Sequence, residues 1–477
     1  MNSRVKELLS NTLLFTIANM GSKLMVFLMI PLYTSVLTTQ EYGISDMVQT
    51  TATLLIPILT AKIPDAILRF SFMKEYSTSV VLSIGLRIIL LGCIACSVIS
   101  YLLSYIPFFN GLDFYILFIP LIFASNSLVD LFHKYARGVN QVKISAYAGL
   151  IGTVSMIVLN LFFLLIVKLG IVGYLLSYFL ADCIVILYIV NQCNVMKMYV
   201  SRGDNSLRTE MLKYSIPLVP NSLSWWALSS VNRYVLLAWV GTSALGIYSA
   251  TLRIPSILTV LCDIFAQAWM LSALKDYGSD ESKKFINAMY SRYFSLLIIM
   301  TAFIIVCSYP LAKFLLSGDF IDYWWVSPYL FVSVFWGAIV GFLGSIFSSE
   351  RKNNMQFIST MVGAMVSLLI TLAFLRDYGV VVIAWATMTG YYIIWLIRRI
   401  AVRKYINLNL STMFSTLQGV ILVIESYLVG KELYLYAIVC ILILMLLNFR
   451  NLSSLFMFVG IESKNILLRY GKNSNKR

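Results

Sequence analysis

The fold is decided where two long apolar runs meet, at Pro31-Leu32-Tyr33-Thr34-Ser35-Val36-Leu37-Thr38-Thr39-Gln40-Glu41-Tyr42-Gly43. The first run, 11–36, is long enough to cross a bilayer, because roughly 20 helical residues span its ~30 Å core. It nevertheless carries Lys23 near its middle, and the second run, 44–69, holds Lys62 between two prolines. A base at the centre of a spanning helix costs roughly 2.5–3.5 kcal/mol, so it normally faces protein or a watery cavity. The two runs therefore indicate a transport pathway rather than an anchor.

The composition of the whole chain is that of a membrane protein. Its 477 residues are 60% hydrophobic and 12% charged, whereas soluble chains are roughly 25% charged. We predict an all-α polytopic membrane protein with about 14 transmembrane helices. The apolar runs are 11–36, 44–69, 78–104, 114–133, 144–167, 170–192, 214–240, 244–273, 285–310, 325–349, 355–375, 379–397, 412–430 and 433–457.

The basic residues predict the orientation of these spans. If the N-terminus is cytoplasmic, the cytoplasmic segments hold 25 Lys and Arg, and the outside segments hold only Lys168, Lys313, Arg376 and Lys431. Cytoplasmic loops collect bases in this way. We therefore expect a multi-pass protein of the bacterial cytoplasmic (inner) membrane with both termini cytoplasmic. The excess of 36 bases over 21 acids has the same source, so no nucleic-acid partner is expected.

An internal repeat predicts how the spans are organised. A shift of 203 residues places Thr39, Gly43, Ile44 and Leu55 over Thr242, Gly246, Ile247 and Leu258. Spans six apart share one orientation, so the repeat is parallel. We predict two six-helix lobes related by a parallel pseudo-two-fold around a central cavity, followed by a helix pair. The predicted domains are the N-terminal lobe 1–200, the C-terminal lobe 201–406, and the extra pair with its basic tail, 407–477.

Several stretches resemble one transporter superfamily. They are Pro31 to Gly43, Ala66-Ile67-Leu68-Arg69-Phe70, Tyr214-Ser215-Ile216-Pro217-Leu218-Val219-Pro220, Val231-Asn232-Arg233-Tyr234, Gly246-Ile247-Tyr248-Ser249-Ala250 with Arg253, and Phe265-Ala266-Gln267-Ala268-Trp269. In order and spacing they are similar to polysaccharide flippases (O-antigen/capsule repeat units) of the MATE-like multidrug/oligosaccharidyl-lipid/polysaccharide exporter superfamily. The resemblance covers roughly 1–400.

Three departures from that family pattern stand out. The family often has Asp where this chain has Asn232, so Arg233 lacks an adjacent counter-charge. Lys is common where Arg253 stands. The final helix pair is a feature of lipid II flippases rather than of the twelve-span polysaccharide branch.

The resemblance implies a flippase, not an enzyme, that moves undecaprenyl-diphosphate-linked oligosaccharide from the inner to the outer leaflet. Such a headgroup needs cations to leave interfacial water, and Arg or Lys can supply them. Seven bases lie within the spans, against the acids Asp65, Asp130, Asp182, Asp263 and Glu425. We predict that the diphosphate is held by Lys23, Arg233, Arg253, Lys62 and Arg87. The alternative is that each base pairs with an acid or a carbonyl.

The source of energy is left open between the membrane potential alone and coupling to an H⁺ or Na⁺ gradient. Asp65, Asp182 and Asp263 are the candidate ion-coupling residues. No other cofactor is expected, and one histidine, His133, cannot build a metal site alone. The absence of a G-x-x-x-x-G-K-[ST] segment argues against an in-chain ATPase. Membrane lipids, a polymerase and a chain-length protein are the candidate partners.

Three alternative functions are considered for the chain. A multidrug/cation antiporter of the same fold would favour acids in its cavity, a membrane polysaccharide polymerase would carry a large outside loop, and a lipid II flippase matches the span count.

Overall fold

The computed structural model describes residues 25, 27–73, 75–106, 113–195, 204–273, 280–350 and 352–451. Every regular element among these residues is a helix. The all-α polytopic class predicted from the composition is therefore confirmed.

The helices follow one another with short connections. In chain order they are α1 Ile30–Val36, α2 Thr39–Leu59, α3 Ile63–Ser71, α4 Thr78–Leu103, α5 Asp113–Ile116, α6 Phe118–Gly138, α7 Val142–Leu161, α8 Gly170–Gln192, α9 Asn205–Ser215, α10 Val219–Trp239, α11 Thr242–Thr251, α12 Ser256–Ala273, α13 Asp280–Val306, α14 Ser308–Leu315, α15 Ser327–Ser349, α16 Asn353–Tyr378, α17 Val381–Ala401, α18 Thr412–Gly430 and α19 Tyr434–Asn451. Short π or 3₁₀ turns occupy Phe162–Ile166, Ile216–Leu218, Gly318–Val326 and Val402–Lys404.

The chain forms two compact units. The first consists of Met1–Val260, Ala312–Tyr323 and Ser367–Ile383, and the second of Leu261–Leu311, Trp324–Val366 and Ala384–Arg477. The division of the chain into lobes 1–200, 201–406 and 407–477 stays a prediction.

Among the described residues, ten helices are long and apolar enough to cross a membrane, or twelve if each of two bent pairs is one span. These twelve correspond to twelve of the fourteen predicted spans. Of the other two, 11–36 lies mostly outside the described residues. The span 214–240 contains α10, whose Ser, Asn and Trp residues make it less apolar than the rest.

The first bent pair is α2 and α3, which meet at 55°. Helix α2 begins with a capping box: the hydroxyl of Thr38 accepts from the Glu41 N–H at 3.2 Å, and the Glu41 carboxylate accepts from the Thr38 N–H at 2.9 Å. It ends where Ala61 and Lys62 adopt left-handed conformations, with φ of 48° and 54°. Such a conformation costs a non-glycine residue roughly 1–2 kcal/mol. Pro64 then opens α3, since proline fits the first helical turn.

The second bent pair is α11 and α12, with 50° between them. Its break spans residues 252–255 and contains Pro255. Each break therefore holds one base, Lys62 in the first and Arg253 in the second. In the first pair the bend falls at Lys62, between Pro57 and Pro64.

Helices α2 and α11 cross with their backbones almost in contact. A Cβ at Gly43 would overlap the carbonyl oxygen of Thr242 and lie 2.9 Å from the nitrogen of Gly246. A Cβ at Gly246 would overlap the carbonyl oxygen of Thr39 and lie 2.9 Å from the nitrogen of Gly43. Small residues permit such close crossings in membranes, where packing rather than water exclusion drives helix association. The reciprocity is that of a two-fold contact and reproduces the predicted register of 203 residues.

Candidate functional site

A polar cavity of about 390 Å³ lies in the first unit, where α2, α10 and α11 meet the break that follows α11. Nine of its ten lining residues are polar or charged. They are Asp46, Gln49, Thr50, Thr53, Ser230, Arg233, Ser249, Leu252, Arg253 and Ser256. Both helices of the close glycine crossing thus contribute to its wall. The crossing brings the polar residues that follow Gly43 on α2 next to those that follow Gly246 on α11.

Arg233 is held within this cavity by two side chains of α2. Its Nη1 donates to both carboxylate oxygens of Asp46 at 3.0 Å and to the hydroxyl of Thr50 at 3.0 Å. Asp46 and Thr50 lie one turn apart, so they share a face of α2. The side chains of Asp46 and Arg233 are only 6% and 16% exposed. Next to Arg233, the Asn232 amide donates to the hydroxyl of Ser367 at 2.8 Å.

This pair was not predicted from the sequence. Arg233 has no counter-charge next to it in the chain, as expected, but Asp46 supplies one from α2. Asp46 was also missing from the acids counted inside the spans. It is the third residue of the predicted span 44–69 and so belongs with those acids.

Arg253 differs from Arg233 in its partners. It lies in the break between α11 and α12, and among the described residues it takes part in no ion pair. Its guanidinium interacts electrostatically with the hydroxyls of Tyr42, Tyr174 and Tyr178 and with Asp46. The charged groups of the cavity wall are thus one carboxylate and two guanidiniums, which leaves one positive charge over.

A group of tyrosines lies close to Arg253. The rings of Tyr33 and Tyr174 meet edge to face with centroids 4.8 Å apart, and the hydroxyls of Tyr174 and Tyr178 lie 3.3 Å apart. The hydroxyl of Tyr33 is buried and has no hydrogen-bond partner in the described part of the chain. Tyr33 and Tyr42 belong to the link with which the two apolar runs meet. That link therefore contributes to the surroundings of the site as well as to the fold.

Lys62 lies in a separate ionic cluster and is not part of the cavity wall. Its ammonium is 3.2 Å from Asp65, whose other oxygen is 2.7 Å from Lys134. Lys134 in turn is 2.9 Å from Asp130. Positive and negative groups alternate, so this cluster joins α3 to α6 with its charges balanced. Lys62 and Asp65 each have a partner here, which is the alternative arrangement considered for the intramembrane bases.

The other predicted site residues lie away from the cavity. Arg87 is half-buried on α4 and interacts with other described residues. Asp182 on α8 accepts a hydrogen bond from the Ser125 hydroxyl at 2.7 Å. Asp263 on α12 is half-buried and interacts electrostatically with Tyr293. Lys23 falls outside the described residues. Of the five predicted substrate-binding bases, the structure brings Arg233 and Arg253 together.

The region that contains the cavity matches one protein family in sequence. Residues 8–271 match the family described as "Polysaccharide biosynthesis protein". The chain belongs to this family. All ten lining residues fall within the matched region, and the resemblance to a polysaccharide biosynthesis family predicted from the sequence is confirmed. No curated protein matches this polysaccharide biosynthesis protein in sequence.

Solved structures share the fold of this polysaccharide biosynthesis protein. The lipid II flippase MurJ in an inward closed conformation matches with a TM-score of 0.70 and 14% identity, over 94% of this chain and 99% of that chain. An inward-facing multidrug resistance MATE family transporter of the MOP superfamily matches with a TM-score of 0.62 and 14% identity, over 80% and 95%. A MATE structure in complex with MaL6 matches with a TM-score of 0.58 and 14% identity, over 83% and 96%. The chain thus has the multi-pass fold of flippases and transporters.

Proposed function

We propose that this polysaccharide biosynthesis protein is a lipid-linked oligosaccharide flippase. It moves undecaprenyl-diphosphate-linked polysaccharide repeat units from the inner to the outer leaflet by alternating access. It works in the bacterial cytoplasmic membrane with both termini cytoplasmic. The family match and the MurJ-like fold support the class of protein, and the cavity in the first unit supports an anionic substrate.

The charge of Arg253, which forms no ion pair with any described residue, is the observation that carries the proposal. The Asp46 carboxylate already balances Arg233, so a bound anion would complete the charge balance of the cavity at Arg253. Phosphate oxygens are well suited to this, because a guanidinium can offer them two parallel N–H donors. A substrate with no negative charge would leave the surplus charge unbalanced.

The neutral lining of the cavity suits the rest of a phosphate–sugar headgroup. Thr50, Thr53, Ser230, Ser249 and Ser256 supply hydroxyls that donate and accept hydrogen bonds, as sugar hydroxyls require. The Ser249 hydroxyl is buried and has no partner among the described residues. A volume of about 390 Å³ is at the lower end of the roughly 300–1,000 Å³ typical of small-molecule sites. The cavity would therefore hold a headgroup rather than a whole repeat unit.

The membrane potential favours the proposed direction of transport. With the inside negative, export of a dianion gains about 5 kcal/mol per 100 mV. An inward H⁺ or Na⁺ gradient could add to this, with Asp65, Asp182 and Asp263 as the candidate acceptors. Asp65 is bonded to two lysines and Asp182 to a single hydroxyl. Asp182 is therefore the better candidate of these two.

Substitution of Arg253 tests the proposal. In proteoliposomes with a fluorescent undecaprenyl-diphosphate oligosaccharide, we expect Arg253→Ala to slow transfer between leaflets by about tenfold or more, since hydrogen bonds to charged groups contribute about 1.5–3 kcal/mol. Arg253→Lys should give an intermediate rate, because lysine keeps the positive charge but lacks the two parallel N–H donors of the guanidinium. Arg376→Ala is the matched control: Arg376 is exposed at the end of α16, where it stacks on Trp239 at 4.6 Å. Equal rates for wild type and Arg253→Ala would refute the assigned role of Arg253.

A multidrug/cation antiporter is the second candidate on this fold. Asp46 is the acid that such a transporter would use, but its charge is taken up by Arg233. Transport of a cationic dye that survives Arg253→Ala and is lost in Asp46→Asn would favour the antiporter.

A further inference from the structure

Glu425 is a buried acid without a partner in the last helix pair. It lies in the middle of α18 and has no exposed surface. Neither of its carboxylate oxygens has a hydrogen-bond partner among the described residues. None of the roles proposed above involves this residue or the helix pair that carries it.

The contacts of α18 fix which residues face Glu425. A Cβ at Gly430 would lie 3.7 Å from Trp325, just before α15, and Gly419 packs on Trp336 of α15. The two helices therefore run antiparallel, with Glu425 level with Leu330. The Asn448 amide donates to Gln418 at 2.8 Å, which places Glu425 level with Cys440 and Ile441 of α19. The Ser295 hydroxyl donates to the same Asn448 at 2.6 Å, which places Ala302 of α13 at that level.

Among the residues that the structure describes, no charged side chain lies at this level to balance a carboxylate. The neighbours Leu330, Ala302 and Ile441 are apolar, and the Cys440 thiol is the titratable group that interacts electrostatically with Glu425. Among the described residues, the nearest bases along the axis are Lys431, which is exposed just past the end of α18, Arg450 of α19 and Arg292 of α13. At 1.5 Å per residue they are about 9 Å, about 13 Å and about 15 Å away from that level. Helix α17 has no charged residue before Arg398, which is further still.

A ladder of neutral polar side chains lies between Glu425 and the end of the pair near Arg450. The Asn451 amide donates to Ser295 at 2.9 Å, Ser295 donates to Asn448, and Asn448 donates to Gln418. The Gln418 amide nitrogen is itself buried and without a partner in the described chain. Gln418 and Glu425 are two helical turns, about 10 Å, apart on one face of α18. This face of α18 therefore holds unsatisfied polar atoms at Gln418, next to the ladder, and again at the Glu425 carboxyl group.

A carboxylate in these surroundings would lose its hydration without any compensating charge. An isolated buried carboxylate of this kind takes up a proton rather than remain ionised. We propose that Glu425 is a proton-binding site of the last helix pair. The proton forms a bond with one carboxylate oxygen in the conformation described here. It is released when a rearrangement brings water or a base to that oxygen.

Proton binding of this kind couples the conformation to pH. A conformation that requires the proton is favoured by low pH, and one that hydrates Glu425 is favoured by high pH. For the flippase proposed above, an exchange between two such conformations would link substrate movement to a proton gradient. Only this link rests on the proposed function, because proton binding can be measured without a substrate.

Infrared difference spectroscopy of the full chain in lipid nanodiscs tests the proton site. We expect the spectrum of wild type minus Glu425→Gln at pH 7 to contain the carbonyl band of a protonated carboxylic acid, shifted in ²H₂O. Glu425→Gln keeps the shape of the side chain, so its fold should be retained. The control is wild type minus Asp65→Asn, which should contain carboxylate bands because two lysines hold Asp65 ionised. Carboxylate bands in the Glu425 difference spectrum at pH 7 would overturn the proposal.

Transport under a pH gradient tests the link to movement. For one coupled proton, the ratio of labelled lipid between the leaflets should change by up to about tenfold per pH unit of gradient. Glu425→Gln should abolish this dependence, and a variant that keeps it in full would rule the coupling out. A wild type that moves no lipid-linked sugar would refute the proposed function, while the infrared result would still decide the proton site.

Discussion

Arg233 and Arg253 share one cavity but are not equivalent. Arg233 is fixed by Asp46 and Thr50, while Arg253 borders a group of tyrosines and has no ion pair within the described residues. A guanidinium already paired with a carboxylate gains less from a phosphate than an unpaired one does. Arg233 and Asp46 therefore stabilise the cavity, and Arg253 is the residue expected to hold the substrate.

A double-mutant cycle tests the stabilising role of the Asp46–Arg233 pair. We expect Asp46→Ala and Arg233→Ala each to lower the free energy of unfolding by roughly 3–5 kcal/mol, since each leaves a buried charge unpaired. The double variant should lose less than the sum of the two, with a coupling of about 1–3 kcal/mol. Equilibrium unfolding in detergent measures these values. Strictly additive losses would contradict the pairing, and Arg376→Ala should cost about 1 kcal/mol or less because Arg376 is exposed.

At the residue scale, the sequence identified bases but not their partners. Lys62, Arg233 and Arg253 were recognised because a base within an apolar run is rare. Asp46 was missed because a carboxylate near the end of a span looks like an ordinary interfacial group. Its partner is 187 residues away in sequence, and that pairing depends on how α2 and α10 pack. The pairing of Lys134 with Asp65 is likewise set by the packing of α3 on α6.

At the scale of elements, the two bent spans are broken at places with similar residues. Each break holds a base and has a proline in it or within three residues of it, and each break follows a helix that begins at an equivalent residue, Thr39 or Thr242. The prolines made a break in the second run predictable. The left-handed Ala61 and Lys62 were not predictable, because neither residue favours that conformation. Tertiary packing imposes it.

The glycines of the α2–α11 crossing give a test at this scale. Gly43→Ala and Gly246→Ala should each lower the free energy of unfolding by about 1–3 kcal/mol, because the added methyl group meets a backbone carbonyl that cannot move aside. Gly149→Ala in α7 is the control, since its Cβ would meet nothing within 4 Å. Alanine there should stabilise the helix by roughly 0.5–1 kcal/mol. Thermal unfolding of all three variants measures the effect. A Gly43→Ala protein as stable as wild type would show that the two helices can separate freely.

At the scale of the whole molecule, the distribution of bases predicts which loops face the cytoplasm. Lys143, at the start of α7, belongs to the basic side, and Arg376, at the end of α16, belongs to the side that holds few bases. Both residues are exposed. In a background whose seven cysteines are replaced by Ser, an impermeant thiol reagent added to intact spheroplasts should label Arg376→Cys. It should label Lys143→Cys only after lysis, and the reverse result would invert the predicted topology.

The overall class of the molecule was easier to predict than its site. Apolar runs of about 20 residues are a direct consequence of the bilayer's thickness, so twelve of the predicted spans recur as helices or bent pairs. Helix α10 shows where this reasoning is weakest, because its Ser230 and Arg233 line a polar cavity and its Asn232 is buried against Ser367. The residues that line the cavity are thus also the residues that make this span less apolar and harder to detect.

The Gly43–Gly246 crossing limits how α2 and α11 can move. With a backbone oxygen seated against each glycine, sliding one helix along the other would drive those oxygens into neighbouring side chains. Rotation about the crossing point keeps both contacts and therefore costs little. The contact between the two glycines thus acts as a hinge. The polar cavity beside it would widen by an increase in the crossing angle of α2 and α11 and not by translation of one helix along the other.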